Sequence, residues 1–237
     1  MTENKTGKYF KYAVGEIVLV VIGILIALSI NNWNEKRKAN KFEHEILNLI
    51  DQNLKTDSLS LSIELAKTKE ANTLTEKVLE KVTQNDYSDS LNFWMGKIIS
   101  FERFKSQSSA FEVLKAKGIE HISNKKLQLA LISYNDENLF LLYESLNDVL
   151  QSFNADWIPL VKTDFSDFKF REYGIPIDSK TFFEKPSTII LFKLYQDNRS
   201  GQVRRMESAL AKISEIRHRQ NHPCGYWYFN CLAIKHY

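Results

Sequence analysis

Between Ile17 and Ile30 the chain reads IVLVVIGILIALSI, fourteen residues without a charge. Fourteen apolar residues fit a buried helix or a signal-peptide core; extension back to Tyr12 gives nineteen, roughly 28 Å of helix, enough to cross a hydrocarbon core. The longer reading must accept Glu16. Tyr12 on one side and Trp33 on the other supply aromatic rings at the two interfaces, where amphipathic rings sit best. A cleaved signal peptide is the rival, with Lys5, Lys8 and Lys11 as its basic region and Ala27-Leu28-Ser29 as its cleavage site. No helix breaker lies between Ile24 and Trp33, and polar, helix-compatible residues follow directly, which favours an uncleaved anchor. Four positive charges near each end leave its orientation undecided.

The rest of the chain must then fold beside a membrane. The whole chain of 237 residues includes only 8 glycines and 4 prolines, too few turn-formers for a sandwich or barrel. Helical spacing is evident instead. Phe42, Ile46, Leu49, Ile50 and Leu54 mark one face, continued more weakly by Leu61, Leu65, Leu74, Val78 and Val82, up to a stop near Gln84-Asn85-Asp86. Leu91, Trp94, Ile98 and Phe101 predict a second helix. Ser109 and Glu112 have capping-box spacing for a third, which Gly118 ends. Asn124 caps a fourth, along Leu127, Leu131, Tyr134, Leu142, Leu146, Val149, Phe153, Trp157 and Leu160, which Pro159 should kink or end. Residues 164–186 read as irregular. A last helix keeps Ile189, Phe192, Val203, Met206, Leu210 and Ile213 on one heptad register through Ser200-Gly201.

These stripes predict an all-α protein: one N-terminal transmembrane helix, then an extracytoplasmic antiparallel bundle of four to five helices. The expected organisation is a basic segment at 1–11, the span at 12–33, the bundle at 34–221 and a tail at 222–237. The tail is set apart by five aromatic residues and both cysteines, Cys224 and Cys231.

Chemical signatures are sparse. A formal net charge of +3 is too mild to imply nucleic acid as a partner. Glycine-rich phosphate loops and nucleophile elbows are missing. His44-Glu45-Ile46-Leu47-Asn48 resembles the zinc-protease helix, but Asn48 replaces the second ligand. His218, His222, Cys224, Cys231 and His236 are zinc-ligand types without the paired spacing of a zinc module, so a solvated or membrane-touching tail is favoured and no cofactor is expected. Phe165, Phe168, Phe170, Tyr173, Phe182 and Phe183 read as the cap of a bundle core, with a ligand pocket as the alternative. Within the span, Glu16, Gly23 and Ala27 share one stripe, which predicts self-association through close helix approach.

The run Tyr12-Ala13-Val14-Gly15-Glu16-Ile17, with the exit Asn31-Asn32-Trp33-Asn34-Glu35, resembles a bacterial family of uncharacterised single-span proteins, domain of unknown function 6090. The likeness is specific over about residues 8 to 45. It continues more weakly through Phe111-Glu112-Val113-Leu114-Lys115, Gly118 and Ile122-Ser123-Asn124, to about residue 220. It implies an inner-membrane anchor with a helical extracytoplasmic domain, and no activity. The expected function is therefore a non-enzymatic, membrane-anchored bundle acting through protein contacts on a partner the sequence does not name. Ligand sensing near residues 164–186 is the alternative.

Overall fold

The computed structural model describes residues 5–221. Helix α1 spans Lys5–Thr83. The chain divides into two compact units, Met1–Asn48 and Leu49–Tyr237. The described residues of the first belong to α1, whose apolar stretch is long enough to cross a membrane, with a mean hydropathy of 2.4 and none of it buried. Its large apolar side chains from Val14 to Ile30 are exposed.

The second unit is a helical bundle. After α1 come α2 (Ser90–Ile98), α3 (Ser109–Lys117), α4 (Lys125–Ile132), α5 (Leu139–Ser152) and α6 (Ile158–Asp164). Strands β1 (Phe165–Lys169) and β2 (Tyr173–Pro176), the short α7 (Ser179–Glu184) and α8 (Pro186–Asn221) complete it. Side-chain bonds fix the directions. Asp51 pairs with Arg217, Lys69 with Glu207 and Asn72 with Ser200, so α1 and α8 run antiparallel. Asn138 bonds Ser208 and Ser152 bonds Asn198, so α8 also opposes the α4–α6 rod.

Helix α1 ends where the Gln84-Asn85-Asp86 sequence requires. Asn85 takes φ 56°, the left-handed conformation asparagine tolerates at a helix stop, and the Asp86 amide closes back on the Lys81 carbonyl. Asn124 caps α4 as expected, its side chain accepting from the amides of Lys126 and Leu127.

The α4–α6 rod is one nearly continuous helix with two π turns, Ser133–Asn138 and Phe153–Trp157. Along it the buried positions step from Tyr134 to Leu139, five residues, and the first π turn supplies the extra residue that keeps both on the core side. Pro159 does not end the rod: it sits in the first turn of α6, directly after the second π turn, where a missing amide costs least. α8 runs unbroken through Ser200-Gly201.

Four expectations need correction. α2 stops at Ile98, and Phe101 belongs to a segment without helix or strand. Ser109 is not a cap: it is the first residue of α3, and Asn53 on α1 accepts from the Ala110 amide instead. Residues 164–186 are ordered, as an antiparallel hairpin and α7. A bulge between Phe165 and Asp167 turns Phe165 and Phe168 to the same side, where their rings meet edge to face at 6.3 Å. Finally, the buried stripe of α8 is Thr188, Phe192, Tyr195, Arg199, Gln202, Met206, Ala209, Ile213 and Ile216. Ile189, Val203 and Leu210 flank it half-buried. A stripe chosen by apolar residues alone misses the polar members of the true seam.

Gly96 anchors the hairpin on α2. A Cβ there would lie 2.2 Å from the Tyr173 amide nitrogen, so only glycine permits this approach, and the Gly96 carbonyl accepts from the Arg171 amide.

Candidate functional site

Asp57 on α1 and Arg199 on α8 are buried polar residues with a common cause. From Ile99 to Ser108 the chain runs without helix or strand between α2 and α3. Ser100, Glu102 and Ser106 are buried, while Arg103, Lys105 and Gln107 are exposed. An irregular segment laid into a core carries backbone groups that must be hydrogen-bonded, and the neighbouring helices have to supply the partners.

At one end, Arg199 and Tyr195 both donate to the Ser100 carbonyl, Arg199 through Nη2 at 2.6 Å. The Arg199 guanidinium also stacks 4.4 Å from the Tyr195 ring centre. Arg171 reaches in from the hairpin turn and donates to the Phe101 carbonyl at 2.7 Å. Its φ of 66° is a conformation that costs a non-glycine residue about 1 kcal/mol or more. The turn tolerates that strain while the guanidinium is docked. At the other end, the Asp57 carboxylate accepts from the Ser106 hydroxyl, the Gln107 amide at 2.7 Å and the Tyr134 hydroxyl at 2.9 Å. Tyr143 accepts from the Ser106 amide.

Between these ends lies an ionic cluster. Glu102 stands 3.8 Å from Arg171, and Glu64 stands 4.0 Å from the same guanidinium. Neither Glu102 oxygen accepts a hydrogen bond within bonding geometry, Nε and Nη1 of Arg199 find no acceptor, and the Gln202 side-chain amide has no hydrogen-bond partner. Burial pushes the Glu102 carboxyl above the ordinary carboxylate range, with Arg199 and then Arg171 opposing the shift. Burial lowers Arg199 in turn and raises the Tyr195 hydroxyl. Two guanidiniums face the two carboxylates, and Lys67 also pairs with Glu64 at 2.6 Å; these opposite charges offset part of the cost of burying Glu102 on the 99–108 segment, the strap.

The residues singled out from sequence lie elsewhere. Glu16, Gly23 and Ala27 are exposed on α1, and nothing lies within 4 Å of a Cβ built on Gly23. Tyr12 is on the same helix. Trp33 is 64% exposed, with the Arg37 guanidinium 5.4 Å from its ring. His44 does not meet a second ligand; it bonds Asn48 at 3.2 Å. His218 lies near the end of α8, whereas His222, Cys224, Cys231 and His236 fall outside the described residues. Among the described residues no three His, Cys, Asp or Glu side chains gather as a metal set. Of the 165–183 aromatics, Phe182 lies 5.0 Å from both Phe165 and Phe183, in one cluster with Trp157 and Phe192, whereas Phe170 is exposed and meets Phe101 and Phe153 instead. Sequence reading missed Arg199, Glu102 and Asp57. The available signal was a polar residue on a heptad position, as at Arg199 and Gln202.

A family model described as a family of unknown function (DUF6090) matches residues 16–143, more than half of the chain. The chain belongs to this family. No curated protein and no solved structure matches it. The DUF6090 match takes in the apolar helix, the strap and its partners Asp57 and Tyr143. It ends before Arg171, Tyr195 and Arg199, so the strap's second set of partners lies in the part of the chain beyond the match.

Proposed function

We propose that this DUF6090 protein is a single-span, membrane-anchored helical bundle that acts by contact with other proteins and performs no chemistry of its own. The observation that carries the reading is the Val14–Ile30 stretch of α1. Its large apolar side chains are exposed, on a segment long and apolar enough to cross a bilayer. Exposed apolar area on this scale is unfavourable in water and favourable in hydrocarbon. Trp33 with Arg37 stacked on it suits the headgroup layer that follows. In this reading the membrane is a bacterial plasma membrane and the bundle is extracytoplasmic.

The span also associates with a second copy through Glu16, Gly23 and Ala27. Gly23 and Ala27 are one turn apart and let two backbones approach, while a partner relieves the exposure of Glu16 to lipid. Anchoring is tested by alkaline carbonate extraction, which should leave the full chain in the membrane pellet. Orientation is tested by a reporter active only in the cytoplasm, fused after Tyr237, which should stay dark. Release by carbonate or a bright reporter overturns the respective half of the proposal.

A further inference from the structure

Helix α1 carries two heptad stripes. The inner one, through Ile50, Leu54, Asp57, Leu61, Thr68, Ala71, Thr75 and Val78, is buried in the bundle. On the outer side Leu49, Gln52, Thr56, Leu59, Ile63 and Ala66 repeat at steps of three and four, and all six are exposed. Leu49, Leu59 and Ile63 are 50%, 67% and 49% exposed, and no charge interrupts the stripe. The Thr56 hydroxyl donates back to the Gln52 carbonyl at 3.2 Å, so its hydrogen is already used within the helix.

We infer that this outer stripe seats the same stripe of a second copy of the chain, α1 beside α1, parallel and in register. Charge decides the occupant. In a parallel symmetric pair every stripe residue faces its own copy, so any charge would meet its like. The stripe carries none from Leu49 to Ala66. The next residues in the same register are Glu45 and Glu70, and each is ion-paired within its own chain, to Lys41 and to Lys97. The flanking Lys55 and Lys67 are also paired internally, with Asp51 and Glu64, and in this register they fall opposite Ser60 and Ser62 of the other copy. Between Leu49 and Ala66 a parallel pair thus buries two leucines and an isoleucine per chain without bringing like charges together. The parallel direction rests on the anchor reading, since two chains held in one membrane present α1 the same way round; the choice of face does not.

The test is disulfide cross-linking of the full chain in native membranes, in a Cys224→Ser, Cys231→Ser background. Leu59→Cys should give a band at twice the monomer mass on mild oxidation. Lys69→Cys, about 120° around the helix from Ile63 at 100° per residue, should give none. Adding Ile63→Glu to Leu59→Cys should abolish the band, with an unchanged helical circular dichroism melt showing that the fold is intact. No band at Leu59, equal bands at Leu59 and Lys69, or a Leu59 band that survives Ile63→Glu overturns the inference. Failure of the anchor reading shows separately, as chain in the soluble fraction, where the same cross-link still reports on the face.

Discussion

The Arg199 guanidinium lies over the face of the Tyr195 ring at 4.4 Å, and both side chains donate to one carbonyl, that of Ser100. One helical turn of α8 thereby holds one end of an irregular segment inside the core, and Asp57 on α1 holds the other. The strap is where this fold spends buried polar groups, so it is where substitutions should be felt most.

Arg199→Leu should cost about 3–5 kcal/mol, because it leaves Glu102 buried without its main opposing charge and removes two bonds to Ser100. Arg199→Leu with Glu102→Leu should recover part of that loss, since no lone charge remains. Urea unfolding of the purified protein measures both. A double variant no more stable than the single one would show that Arg199 acts through Ser100 alone.

Glu102 should also shape the pH dependence. Its folded-state pKa is raised by burial, so the folded chain holds that proton more tightly than the unfolded chain. The resulting stabilisation is complete below the unfolded value, about 4.3, and is lost as pH rises through the folded value. Glu102→Gln removes this loss. The stability of the variant relative to wild type should therefore climb with pH across that window and level off above it. A difference that stays flat or falls, read from urea midpoints at a series of pH values, contradicts the assignment.

Two glycines should respond to alanine with opposite sign. Gly96→Ala drives a Cβ into the Tyr173 backbone and should cost about 1–3 kcal/mol or more as the hairpin is pushed off α2. Gly201→Ala meets only the Arg204 side chain at 3.8 Å in mid-helix and should stabilise by about 1 kcal/mol. Thermal melts should shift downwards for the first and upwards for the second.

The cap of α3 comes from another helix. Asn53→Ala should cost about 1 kcal/mol by stripping the acceptor from the Ala110 amide, whereas Ser109→Ala should be nearly silent. If Ser109→Ala proves the more damaging in chemical denaturation, the local capping box operates after all.

Local chemistry determined the elements that depend on neighbours a few residues away. The Asn124 cap, the Asn85 stop, the Gly118 stop and the continuity of α8 through Gly201 all follow from side chains acting on their own backbone, so they are legible in order along the chain. The apolar run of α1 is legible for the same reason, since length and charge-free composition are sums over one segment. Tertiary structure decided what depends on residues far apart. The hairpin forms because Gly96, some eighty positions earlier, lets it sit against α2. Asn53 replaces Ser109 as a cap because folding brings α1 to the start of α3. Arg199 and Asp57 occupy core positions that apolar periodicity reads as gaps, because the strap between them buries a backbone that needs partners. A hydrophobic pattern records where water is excluded; it does not record which excluded positions must also hydrogen-bond.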